Sequence, residues 1–367
     1  MLESGGSMVL KLAWAPIGLM MLWTSGKNFF ARPIRSWYIF LAGFSFYLLL
    51  EIAFRNLPFF GTDYINMLIS MVVCIISYAY WKKYGTLGKL KLISFSIACA
   101  AWGLAYAIYT GSLVVIDITS AHEIYASKNS AAQIILAADV ICLLCYAPAN
   151  ILEKCFKFVT VIFFTFVVFI LKSRATIAAL FFIVFYLVIT TKKRWHKWAM
   201  ATLIIAAVVY VFSNPDYYTL IVENILFNNR DSDDLNSLSS GRLQIIADIW
   251  DNYLKTPVFG IGNRYVDCFP FAMLIQFGII GFLIVMTFIW DIWKKCYRIR
   301  NLSKLGLCAF LTYASFLVNS LFEAQAPFGP GAKCCVLWVV VGFAFAQYSN
   351  YLESHRPFPS LKNNKLL

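Results

Sequence analysis

Two arginines stand apart from their surroundings. Arg174 lies in FILKSRATIAALFFIVF (169–185), between two apolar runs with almost no loop separating them. Arg242 lies near the start of SGRLQIIADIWDNYLKTPVFGIG (240–262). A planar guanidinium presents a fixed fork of donors that matches phosphate oxygens. Arg242 also falls at the expected start of a helix, where free N–H groups and the helix dipole favour anions. Used together, the two residues suit a phosphate or diphosphate held at a membrane surface. Each also has a plainer reading. Arg174 can snorkel to the interface like any flanking cation, and Arg242 can be a solvated charge on an exposed helix.

The carboxylates offer the complementary chemistry. Asp267 opens DCFPFAMLIQFGIIGFLIV (267–285), where it can act as a general base or simply favour a helix N-terminus. Asp139 sits mid-run in AADVICLLCYAP (137–148), and an acid inside an apolar span is either functional or a hydrogen-bonded packing contact. Glu323, in NSLFEAQAPFGPG (319–331), lies where a span would leave the bilayer. Trp250 and Arg264, on either side of Pro257, are further candidate substrate contacts. Glu51 and Arg55 are spaced as an i,i+4 pair, and His122 stands with Asp117 and Glu123 in one loop. The ten cysteines lie mostly inside apolar runs, where Cys is a small hydrophobe; the one Cys-x-x-Cys spacing, Cys142 to Cys145, lies in such a run, so neither a metal site nor a disulfide framework is expected.

The elements that must position these residues are set by composition. The 367-residue chain is 61% hydrophobic and 13% charged, with mean hydropathy +0.72. A soluble domain carries about 25% charged residues, and a bilayer core needs a helix of about 20 apolar residues. Runs of that length predict a polytopic all-α bundle of about eleven spans. They fall near 8–25, 36–54, 64–81, 92–110, 131–149, 154–171, 175–191, 197–213, 268–290, 303–321 and 333–350. One integral membrane domain over 1–367 is expected. No A-x-A site follows the first run, so it is expected to stay as a span. The net charge of +13 does not point to nucleic acid, because the basic residues cluster in short loops on one side of the predicted bundle. That side holds 21 of the 31 Lys and Arg residues, which makes it cytoplasmic, with the N-terminus outside and the C-terminus inside.

The outer segments 55–63, 172–174 and 322–332 are short and 111–130 is of medium length, but 214–267 is one long external insert. A structureless loop of that length is uncommon unless it is functional or disordered. Within it, 228–239 is polar. A surface helix then starts near Ser240 or Gly241, either of which can cap it, with Ile245, Ile246, Ile249, Trp250 and Tyr253 on one face. Trp250 and Tyr253 are expected at headgroup level, with this face toward membrane or bundle. Pro257 ends the helix, and Gly260 and Gly262 permit a close backbone approach. Gly278 and Gly281 are spaced for close helix packing.

In order along the chain, KSRA (172–175), SGRLQIIADIW (240–250), PVFGIG (257–262) and QFGIIG (276–281) resemble the O-antigen polymerase and O-antigen ligase superfamily. NSLFE (319–323) is similar to a late segment of the same family. The detailed match spans 172–281. The resemblance implies a GT-C-type glycosyltransferase of the bacterial inner membrane, acting on its periplasmic face on undecaprenyl-diphosphate-linked oligosaccharides. Arg174 and Arg242 would bind diphosphate, and no metal or other cofactor is implied because arginines would neutralise the leaving group. The sequence departs from the family at one position. Ligases and many polymerases carry His-Asn about eleven residues before the first Gly of G-x-x-G; here that position holds Asp267, followed by Cys268. This argues against a ligase and leaves Asp267 to replace the base. The expectation is therefore a Wzy-type polymerase. Its partners would be lipid-linked repeat units, membrane lipid, a chain-length regulator and a flippase, with no nucleic acid. The rivals are an O-antigen ligase and a lipid-linked sugar flippase; no clear internal repeat supports the latter.

Overall fold

The computed structural model describes residues 31–55, 61–110, 128–191, 193–219, 221–222, 241–262, 264, 266–324, 326–329 and 331–354. All regular structure among them is helical. The helices are α1 (Arg35–Arg55), α2 (Gly61–Tyr84), α3 (Leu87–Tyr109), α4 (Lys128–Cys145), α5 (Ile151–Ile170), α6 (Arg174–Thr190), α7 (Arg194–Ser213), α8 (Pro215–Tyr218), α9 (Arg242–Leu254), α10 (Phe269–Ile299), α11 (Lys304–Ser320) and α12 (Ala332–Ser354). Every predicted run from 36–54 onward is a helix. The run 8–25, the polar stretch 228–239, Ser240 and the loop holding Asp117, His122 and Glu123 lie outside the described residues. Six helices, α1 to α4, α10 and α12, are long and apolar enough to cross a membrane by themselves, and α6 is a shorter apolar helix.

Local chemistry sets several helix ends. Thr86, Asn150 and Ser303 each accept a hydrogen bond from a backbone N–H in the first turn of α3, α5 and α11, which satisfies donors that have no intrahelical partner. The helix α4 stops at Cys145, earlier than the apolar run, because Pro148 cannot continue it. It is the most enclosed of the six, with 67% of its span buried, and it packs against α3, α5, α6, α11 and α12. A second dense centre joins α1, α10 and α12, where Trp37 meets Trp338 at 4.8 Å and Phe40 stacks on Phe288 at 4.3 Å. Large apolar side chains such as Phe46, Phe158, Phe185 and Trp290 remain exposed around the bundle. A surface of that kind suits lipid rather than water.

The helix α10 departs from the sequence expectation. It runs past 290 to Ile299, and it is broken at Gly278, whose backbone is non-helical (φ 61, ψ −170). That conformation is essentially restricted to glycine. The break is filled by PVFGIG. Ile261 N donates to Ile275 O at 2.8 Å and Gly262 N to Gln276 O at 3.2 Å. In return, Ile279 N donates to Pro257 O at 3.0 Å and Ile280 N to Val258 O at 3.3 Å. The Tyr47 hydroxyl of α1 adds a donor 2.6 Å from the Phe277 carbonyl oxygen and also lies 2.7 Å from Glu51 Oε1. Glycine is required on both sides of this contact. A Cβ on Gly260 would lie 2.5 Å from Gly278 N, and one on Gly278 would lie 2.5 Å from Gly260 N. Gly278 is thus not a helix-packing glycine; it opens the helix so that a loop can enter. Glu51 accepts from Tyr47, and its expected i,i+4 partner, the side chain of Arg55, is outside the described residues.

Gly278→Ala and Gly260→Ala should therefore each destabilise the protein by more than the about 1–3 kcal/mol of local backbone strain, because backbone must also move. The control is Gly43→Ala in α1, where an added Cβ meets nothing within 4 Å; this change should be neutral or slightly stabilising. Thermal unfolding of the detergent-purified variants measures this. Equal melting temperatures for Gly278→Ala and wild type would contradict the interlock.

Candidate functional site

The loop that fills the helix break also fixes α9. Gly241 forms the N-cap of α9 with φ 76 and has no side chain with which to cap it. The helix is short and amphipathic, as expected, but its apolar face turns onto α10. Tyr253 is buried with Val266, Ala272 and Ile275, and Ile246 and Ile249 pack on them. Trp250 is 37% exposed and lies 5.2 Å from the Tyr253 ring. It is available for contact, whereas Tyr253 is a packing residue.

This packing brings Arg242, the first residue of α9, to Asp267, just before α10. Arg242 Nε and Asp267 Oδ2 are 3.6 Å apart, with 22% and 33% of the two side chains exposed. The separation is that of an ion pair rather than a hydrogen bond. Arg242 Nε is itself buried and makes no hydrogen bond among the described residues. Arg264 is exposed, and its carbonyl accepts from Gln276 Nε2 at 2.9 Å, which ties the segment before Asp267 to the broken helix.

Arg174 is held by a different device. It is half-buried at the start of α6, and the preceding Ser173 is 1% exposed. Ser173 Oγ donates to Asn129 Oδ1 of α4 at 2.9 Å and shares a 2.9 Å contact with Thr176 Oγ1. Thr176 lies 3.3 Å from Asn319 Oδ1, near the end of α11. A serine, a threonine and two asparagines thus join α4, α6 and α11 just below Arg174. The serine of the S-R pair serves as a clamp for the turn that carries the arginine.

Glu323 follows α11 and pairs with Lys333 at the start of α12, Oε2 to Nζ 2.6 Å, with 11% and 10% of the side chains exposed. Phe328, from the connection between them, contacts Phe269 at the start of α10 with ring centroids 5.8 Å apart. The starts of α6, α10 and α12 and the end of α11 therefore share one end of the bundle, where Arg174, Arg242, Asp267 and Glu323 all lie. Asp139 does not join them. It is eleven residues into α4, roughly 16 Å along the axis, where it is 5% exposed and accepts from Thr165 Oγ1 at 3.3 Å.

Sequence reasoning missed Lys333, the Ser173 clamp and Gln276. A lone lysine opening an apolar run, ten residues after an acid, was the available signal for the first. An amide next to Gly278 was the signal for the last. No group of three or more His, Cys, Asp or Glu among the described residues is placed to hold a metal ion.

Residues 159–286 match the family model described as O-antigen ligase. The segment includes Arg174, Arg242, Trp250, Arg264, Asp267 and the interlocked glycines; Asp139 and Glu323 lie outside it. No curated protein matches the chain.

The Glu323–Lys333 pair generates a stability prediction. Removing one partner of a buried pair strands the other charge and costs about 3–5 kcal/mol, whereas replacing both with apolar groups is often neutral. Lys333→Met should lower the melting temperature of the purified protein, and Glu323→Leu combined with Lys333→Met should recover most of it. A double variant less stable than Lys333→Met would contradict this reading.

Proposed function

We infer from the match of residues 159–286 to the O-antigen ligase family that the chain belongs to the O-antigen ligase and polymerase superfamily, and we propose that it is a polymerase of lipid-linked oligosaccharide units. It would join undecaprenyl-diphosphate-linked repeat units of O-antigen or a related surface polysaccharide on the periplasmic face of the inner membrane. A sugar hydroxyl of the incoming unit attacks the anomeric carbon of the growing chain. The C–O bond to the diphosphate breaks, the diphosphate leaves with the bonding electrons, and a carboxylate takes the hydroxyl proton. Arg174 and Arg242 hold the diphosphates and offset the charge that develops on the leaving group. Asp267 and Glu323 are the acids at this end of the bundle for proton transfer or substrate contact, whereas Asp139, buried within α4, stands apart from them. Trp250 and Arg264, both exposed beside the interlocked loop, offer contacts to the oligosaccharide. A flippase that supplies the units and a chain-length regulator are the partners this reading requires.

The observation that carries the reading is the position of Arg242. A loop helix delivers it, half-buried, to the residue that stands where the family pattern has a histidine. The ligase reading is favoured by the match to the O-antigen ligase family and disfavoured by that missing histidine. Loss of the gene separates the two. Loss of a polymerase leaves single repeat units attached to lipid A core, and loss of a ligase leaves none attached.

Arg174→Ala and Arg242→Ala should each abolish long-chain surface polysaccharide in cells that depend on this protein, at unchanged protein level. Losing charge-assisted hydrogen bonds to a phosphate lowers turnover by roughly 10- to 100-fold. Polysaccharide electrophoresis with an immunoblot for the protein is the measurement. Normal long chains would remove that arginine from the site.

A further inference from the structure

We propose that Asp267 is a positioning residue for Arg242 and not the base of the reaction. This rests on the reading of Arg242 as a diphosphate ligand. The argument is geometric. A guanidinium can meet anions along two directions, through Nε with one terminal nitrogen or through both terminal nitrogens. Asp267 Oδ2 faces the Nε side at 3.6 Å, and Nε is the buried atom of the group. The exposure that remains on the Arg242 side chain therefore belongs to its other atoms. A carboxylate at Nε fixes the plane of the guanidinium and leaves the two terminal nitrogens for a bidentate grip on phosphate.

The local fold supports the same assignment. Arg242 sits on the first turn of a 13-residue helix whose hold on the bundle is the small cluster around Tyr253. Asp267 sits on the other side of the interlocked loop, at the entrance to α10. An ion pair between them joins the start of α9 to the entrance of α10. A carboxylate engaged in this way is poorly placed to take a proton from a sugar hydroxyl, because accepting it would remove the charge that orients Arg242. Glu323, at the same end of the bundle, is likewise an engaged carboxylate, closed onto Lys333 at 2.6 Å.

The test uses farnesyl diphosphate as a probe, with binding measured on the detergent-purified full-length protein, and surface polysaccharide measured in cells. The expected result is that Asp267→Ala weakens probe binding about as much as Arg242→Ala, roughly 10- to 100-fold. The double variant Arg242→Ala/Asp267→Ala should be no weaker than Arg242→Ala alone, since coupled residues are not additive. Asp267→Asn keeps an oxygen facing Nε; it should bind the probe with intermediate affinity and still produce long chains in reduced amount. The inference is overturned if Asp267→Ala binds like wild type, if the two losses multiply in the double variant, or if Asp267→Asn binds well yet makes no polymer. The last outcome is that of a base, whose loss costs about 10²- to 10⁴-fold in turnover without loss of binding. Absence of probe binding by folded wild-type protein instead overturns the diphosphate reading of the site.

Discussion

The structure depends on one exchange of backbone hydrogen bonds. The helix α10 is broken at Gly278, and the loop 257–262 enters the break with donors and acceptors of its own. A broken helix at membrane depth is tolerated only where protein satisfies the freed groups, each of which otherwise costs several kcal/mol in lipid. The loop meets that requirement at four positions, and Tyr47 meets it at a fifth. Because Gly260 and Gly278 lie back to back, neither tolerates a side chain. The charged, turn-rich stretch that interrupts the hydrophobic chain is therefore the closing piece of a membrane helix.

The geometry of the site follows from that exchange. With Pro257 to Gly262 pinned on α10, the short helix before the loop and the segment after it must both lie near the start of α10. Arg242 and Asp267, 25 positions apart in sequence, then become an ion pair. The other charged groups at this end are fixed separately. Arg174 is carried by a turn that the Ser173 clamp ties to α4 and α11, and Glu323 is closed onto Lys333. Three independent supports converge on one end of the bundle.

Most of the architecture was legible in the sequence. Apolar runs of membrane length gave the helices, and the position of Pro257 gave the end of α9, because both signals are local. The two arginines were visible because a guanidinium beside apolar helices is costly without a purpose. What was not legible depended on distant partners. Gly278 and Gly281 have the spacing of a helix-packing motif, and only the loop some 20 residues earlier in the chain shows that Gly278 breaks the helix instead. Tyr253 read as an interfacial aromatic, but the side of α9 it occupies is decided by Val266, Ala272 and Ile275. Glu323 was recognisable as a candidate, yet its partner Lys333 lies beyond a proline- and glycine-rich connection whose path no local rule predicts. Asp139 was recognisable as an acid within an apolar run, and its depth in α4 separates it from the other charges.

The central claim is that this chain joins lipid-linked oligosaccharides through a diphosphate held by Arg174 and Arg242. The most direct measurement is in vitro polymerisation by the purified protein, supplied only with lipid-linked repeat units. The account predicts a ladder of longer lipid-linked chains, release of polyprenyl diphosphate in step with each bond formed, and no ladder from Arg242→Ala. Folded wild-type protein that makes no ladder, but transfers glycan once lipid A core is added, would contradict it.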